Sequence, residues 1–155
     1  MARRALDRTK VRIGITDQQL QPDPLMQWLD QADTGAIASF LGKVRSEQGR
    51  VQALTLEHYH RMTGVSLEKI AAQAQGRWDL HGLDIQHRIG TLVPLEPIVF
   101  IAVAARYRAD ALSACEFVAD HLKSEAAFWK CEHRIDGNHW LAPSEADRRR
   151  LKKWL

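Results

Sequence analysis

The sequence predicts an α+β domain, with helices segregated to one side of a mainly antiparallel sheet. Three observations predict it. Residues 10–15, 51–59 and 83–89 alternate apolar and polar side chains with the period of a half-buried strand. Residues 62–78 and 110–126 instead carry apolar residues at helical spacing. Ile98 to Ala105 is apolar throughout, as expected of a central strand, and too short to cross a membrane. The 155 residues suit one domain, and 45% hydrophobic and 26% charged residues are ordinary for a globular chain. Residues 1–9 read as a basic tail without the apolar core of a secretory signal, and 10–155 as a single domain. Two cysteines, Cys115 and Cys131, are too few for a disulfide framework or a four-cysteine zinc site, so a reducing cytoplasm is expected.

In order, Val11, Ile13 and Ile15 mark the first strand. Asp23 is placed as the N-cap and Pro24 as the first residue of a helix reaching about Gln31, burying Leu25, Trp28 and Leu29. Ala36 to Leu41 has strand length and leads into Gly42, Lys43, Val44 and Arg45. Cations two residues apart on a strand share a face, and a glycine before them permits close backbone approach. The same residues also fit a hairpin tip with solvated charges. In the next strand Leu54, Leu56 and His58 share a side. His58 and His60 lack further ligands at metal spacing and read as structural.

Val65, Ile70, Ala74 and Trp78 are the expected inward positions of the following helix. Those of the long helix near 110–126 are Leu112, Cys115, Ala119, Leu122 and Ala126, with Lys123 on its last turn, where the helix dipole favours a cation. Phe128 to Arg134 and Asn138 to Leu141 make a hairpin about Asp136 and Gly137. Strand alternation puts Lys130, Glu132 and Arg134 on one face and Trp129, Cys131 and His133 on the other. A polar helix beginning at Pro143 to Glu145 closes the chain, anchored by Leu151 and Trp154.

Three cationic clusters thus stand where apolar elements end: Lys43 with Arg45, Arg106 with Arg108, and Lys123 with Lys130. The last pair brackets Phe128 and Trp129. It reads either as charges snorkelling over a tryptophan anchor or as a wall where partly desolvated ammonium groups meet an anion. No serine-nucleophile elbow, phosphate-binding loop, Cys-x-x-Cys or carboxylate cluster at metal spacing occurs, so no metal is expected. Lysines and arginines suit phosphate or carboxylate binding and stabilisation of a developing anion. A lysine crowded by other cations has a lowered pKa, and can exchange a proton or act as a nucleophile near neutral pH.

Four blocks in order, Phe40 to Arg45, Leu54 to Tyr59, His87 to Gly90 and Leu122 to Lys130, resemble the large, catalytic subunit of molybdopterin synthase. The resemblance spans Val11 to Trp154. It implies an α/β hammerhead fold and no resident cofactor. It implies transfer of two sulfurs to cyclic pyranopterin monophosphate, making the dithiolene of molybdopterin. The sulfur donor would be the C-terminal Gly-Gly thiocarboxylate of a small ubiquitin-like subunit, and the assembly a heterotetramer built on a homodimer of large subunits.

By the same resemblance, Lys123 and Lys130 are the catalytic pair. Lys43, Val44, Arg45, Cys131 and Glu132 contact substrate, as do Tyr107 and Arg108, the latter two across the dimer. Phe40, Ala119 and Phe128 are expected in the pocket wall. Glu132 either orients a lysine or forms a structural salt bridge. Tyr107 stands where the family usually has histidine, so acid–base chemistry near neutral pH is not expected of it. Ala126 and Ala127 replace a common proline, and Leu95, Glu96 and Pro97 a common glycine-acidic turn. Both departures are expected to be local and away from the site. Two rival readings remain: a nucleic-acid-binding domain using the terminal arginines, and a scaffold of the same fold without chemistry. The first lacks interleaved basic and aromatic residues.

Overall fold

A computed structural model describes residues 9–30 and 33–155. The element order is β1 (Lys10–Thr16), α1 (Pro22–Gln27), β2 (Ala36–Lys43), β3 (Val51–His58), α2 (Met62–Arg77), β4 (Leu80–Arg88), β5 (Gly90–Leu92), β6 (Pro97–Ala105), α3 (Arg108–Glu125), β7 (Phe128–Arg134), β8 (Gly137–Leu141) and α4 (Glu145–Lys152). The α+β class is as expected. The single sheet is not: the strands divide into β1-β4-β6-β2 and β5-β3-β7-β8. Among the described residues every pairing is antiparallel except β1 with β4.

The apolar run of β6 lies inside the first sheet, hydrogen-bonded to β4 on one side and β2 on the other. Its residues Phe100 to Ala105 are buried because both faces are covered. Ile101, Val103 and Ala105 pack under α2 and α3 with Leu67, Ile70, Ala114, Phe117 and Val118. Phe100, Ala102 and Ala104 meet Leu29 and the half-buried Leu25 and Trp28 beside α1. Arg12 lies 4.2 Å from the Trp28 ring centroid and binds the buried Asp84 at 2.8 Å, so a desolvated carboxylate is paired rather than isolated.

Several expectations are corrected. Helix α1 starts at Pro22 behind Gln21, not at Pro24 behind Asp23, and ends by Gln27. Proline occupies its first turn, where a missing N–H costs nothing. Its expected end at Gln31, like most of the basic tail, lies outside the described residues. Thr9 is described, and its hydroxyl donates to the Leu80 carbonyl at 2.8 Å. Val65 and Leu112, expected inside, are each 62% exposed. Thr63 and Leu67 on α2, and Ala111 and Ala114 on α3, are buried in their place, so each buried stripe is rotated from the one read in the sequence. Helix α4 opens with a reciprocal capping box: Asp147 N–H donates to Ser144 Oγ at 3.1 Å, and Ser144 N–H to Asp147 Oδ2 at 2.9 Å.

Candidate active site

A cavity of about 590 Å³ opens between the two sheets and the C-terminal half of α3. Its apolar walls include Leu54 and Leu56 of β3, Val99 and Ile101 of β6, Ala119 and Leu122 of α3, and Leu141 of β8. Its polar groups are Lys43, Arg45, Glu47, His87, Lys123, Lys130 and Glu132. Cations therefore outnumber carboxylates four to two among the lining residues. An anion is the complementary ligand.

Local rules place each cation. Gly42 sits at an irregularity in the β2–β6 register. A Cβ there would lie 2.8 Å from Val99 Cγ1 and 3.3 Å from the Phe40 ring, so the close approach expected of this glycine is to its own neighbours. Lys43, Val44 and Arg45 beyond it all line the cavity, and the buried Val44 has its backbone held on both sides. Val44 N–H donates to the Glu96 carbonyl at 3.0 Å, and Leu95 N–H to the Val44 carbonyl at 2.9 Å. The turn at Leu95 to Pro97, expected to lie away from the site, is thus the brace of its Lys-Val-Arg segment. Arg45 reaches outward, its side chain 83% exposed, and pairs with Glu47 at 3.0 Å.

Lys123 comes from the last turn of α3 and Lys130 from the middle of β7. The helix ends at Ala126, where ψ is 133°, so the pair joins the cavity from a helix and the strand after it. Burial, and then the charge of Lys123, push the Lys130 pKa down from 10.5 to about 8; Asp147 on α4 acts in the opposite direction. Glu132 lies on the same face as Lys130 and is 3.5 Å from Arg134, which supplies the salt bridge expected as one of its two roles.

His87 completes the group and was assigned no role from the sequence. Its Nδ1–H donates to the Arg88 carbonyl at 2.8 Å, leaving Nε2 as an acceptor. Its ring stacks on Phe128, 3.8 Å between centroids. Burial, opposed by that hydrogen bond and aided by the charges of Lys130 and Lys123, lowers its pKa to about 3, so the imidazole is neutral at pH 7. A lone histidine in a strand gives no signal in sequence beyond its place in the His87 to Gly90 block. Nor does Asp147, which reads as one more charge on a polar helix.

Lys43, Val44, Arg45, Lys123, Lys130, Glu132, Phe40 and Ala119 are therefore brought together. Phe128 backs the wall through His87. Three residues do not join them. Cys131 is buried on the other face of β7, as alternation requires, and is not among the cavity's lining residues. Tyr107 and Arg108 stand exposed at the start of α3. Arg108 and Lys123 are fifteen residues apart on one helix, so about 22 Å separates them along its axis. They do not meet within one chain. Of the terminal cations, Arg150 is bound to Asp120 and Glu116, each at 2.9 Å, and Lys153 to Glu116 at 2.8 Å. These charges hold α4 on α3.

Fold and cavity define a small α+β protein whose lysine pair, set between two sheets, faces an anion-binding space. The family described as MoaE protein matches residues 15–125. The molybdopterin synthase catalytic subunit of Caulobacter vibrioides is 40% identical over 144 residues, covering 92% of this chain and 96% of that protein. That of Escherichia coli K12 is 42% identical over 149 residues, covering 94% and 98%. The solved molybdopterin biosynthesis MoaE protein of Burkholderia ambifaria superposes with a TM-score of 0.81 at 42% identity, covering 93% and 97%. The chain belongs to the MoaE family.

Proposed function

We propose that this chain is the catalytic subunit of a molybdopterin synthase, a sulfurtransferase acting on cyclic pyranopterin monophosphate. One observation carries the reading: Lys123 and Lys130 enter one cation-rich cavity, and Lys130 exchanges its proton near pH 8. Both reactants are anionic, a cyclic phosphate and a thiocarboxylate, and the lining offers Lys43, Arg45, Lys123 and Lys130 to them. Lys123 acts as proton donor or nucleophile at the carbon that receives sulfur. Lys130 positions the thiocarboxylate and polarises its carbonyl. Lys43 and Arg45, nearer the rim, take the phosphate and pterin.

The sulfur carrier is a small ubiquitin-like subunit whose Gly-Gly tail enters the cavity. Apolar walls interspersed with four cations suit an extended, side-chain-free peptide ending in an anion. Arg108 and Tyr107 serve the cavity of a second copy in a homodimer, since they do not reach their own. The reaction belongs in the cytoplasm. No helix among the described residues is long and apolar enough to cross a membrane.

The test mixes the protein with a thiocarboxylated carrier and the pterin precursor and measures dithiolene. Wild type forms it, and Lys123→Ala loses at least about 100-fold. Full sulfur transfer by Lys123→Ala would overturn the assignment. Mixing Lys123→Ala with Arg108→Ala protomers restores activity if Arg108 crosses the dimer, and leaves none if it does not.

A further inference from the structure

The peptide of Ala127, between the two lysines, is gripped from both sides. Its N–H donates to Ser66 Oγ at 3.2 Å, and its carbonyl accepts a short hydrogen bond from Thr63 Oγ1. Both hydroxyls are otherwise committed. Thr63, wholly buried, also accepts from Tyr59 N–H at 2.9 Å, and Ser66 Oγ donates to the Thr63 carbonyl at 2.7 Å. Residues 63 and 66 lie on one face at the start of α2, so a single helix end presents both groups. What they hold is the joint between α3 and β7, the two residues Ala126 and Ala127. That joint is the link in the chain between the helix that carries Lys123 and the strand that carries Lys130.

We propose that Thr63 and Ser66 are positioning residues, fixing the Ala127 peptide so that the helix-borne and strand-borne lysines converge on the cavity. The proposal rests on the reading that these lysines do the chemistry. The joint itself has a defined shape. Phe128 N–H donates to the Ala126 carbonyl at 3.0 Å, closing a three-residue turn centred on Ala127. Ala127 is not among the residues of positive φ, so this is the inverse γ-turn, with φ about −75°. Ala126, at φ −74° and ψ 133°, holds the extended conformation that a residue preceding proline adopts. With the Ser66 hydroxyl removed, proline suits the backbone at 127, and would stiffen the joint without the Ser66 bond.

The experiment reads the Lys130 ammonium by NMR in lysine-labelled protein, without substrate, and sulfur transfer separately. In Ser66→Ala and in Thr63→Val the joint loosens, and Lys130 becomes better solvated and further from Lys123. Its titration midpoint then rises by about one pH unit. Turnover at pH 8 falls roughly tenfold, with KM for the pterin little changed. Thr63→Ser, which keeps the hydroxyl, leaves both at wild-type values. Adding Ala127→Pro to Ser66→Ala returns the midpoint toward wild type.

Folded Ser66→Ala and Thr63→Val proteins with an unmoved Lys130 midpoint would overturn the proposal. Should either single variant fail to fold, the Ser66→Ala, Ala127→Pro protein decides: a wild-type midpoint supports the clamp, and a raised one overturns it. If the wild-type protein makes no dithiolene, the functional reading fails, while the substrate-free titration still decides whether the clamp sets the lysines.

Discussion

The imidazole of His87 lies nearly flat on the ring of Phe128, the planes inclined by 18° with 3.8 Å between centroids. This contact joins the first sheet, through β4, to the second, through β7, directly behind the lysine pair. It also removes His87 from water, so that the folded protein holds the ring neutral while the unfolded chain protonates it near pH 6.5.

The sign follows. Below pH 6.5 the unfolded state binds the extra proton, so stability falls as pH drops toward 3, where the folded ring also titrates. By pH 4 the loss from this one group is of order 3 kcal/mol. His87→Gln does not titrate. Urea unfolding at pH 7 and at pH 4.5 shows a smaller difference for this variant than for wild type.

Lys130 carries a liability of the same sign, but one already present in full at neutral pH. Its pKa falls from 10.5 to about 8 on folding, so below pH 8 the fold bears a charged, poorly solvated ammonium. Lys130→Met removes that cost. It unfolds at higher urea concentration than wild type at pH 7, by roughly 1–3 kcal/mol, and the gap closes as pH approaches 10. Sulfur transfer is lost in the same protein. Such a trade of stability for chemistry is the expected signature of a working site.

Leu95 adopts φ 77° on a side chain that is 74% exposed. The left-handed conformation is unfavourable for leucine, and little burial offsets it. Leu95→Gly relieves the strain but adds freedom to the unfolded chain, for a net gain of up to about 1 kcal/mol. Because Leu95 N–H holds Val44, activity is retained only if the turn keeps its shape. Thermal unfolding and turnover together check both halves of the expectation.

Trp154 packs edge-on against Phe117 and Trp78, at 5.3 and 5.8 Å, and its indole N–H donates to the buried Asp120 at 2.7 Å. Trp154→Phe keeps the ring and loses the donor, costing about 1 kcal/mol. Trp154→Ala loses both and costs about 3–5 kcal/mol. Denaturation midpoints of the two variants separate packing from hydrogen bonding at the C-terminal anchor.

Much of the fold was legible because its signals are local. The alternation of β1, β3 and β7, the apolar run of β6 and the helical stripes need only neighbours in sequence. The division into two sheets was not legible, since it depends on β3 pairing with β5 and β7, a choice made between distant segments. Val65 and Leu112 were misplaced because a stripe of helical spacing does not fix which of its edges turns outward. Within the site, the converging lysines and the Lys43–Arg45 face followed from strand and helix geometry. Strand alternation also placed Cys131 opposite Lys130, where resemblance alone had grouped them. His87 and Asp147 act through burial and through charge across space, and neither is written in local pattern.

The cavity takes Lys43 from one sheet, Lys130 from the other and Lys123 from a helix lying outside both. No sub-region of the chain contains a working fraction of it. Partial opening that parts the sheets therefore abolishes binding and chemistry together rather than degrading them by degrees. Catalytic competence in this protein therefore requires both sheets to be docked, and amide exchange at β7 and at the end of α3 should share the free energy of complete unfolding.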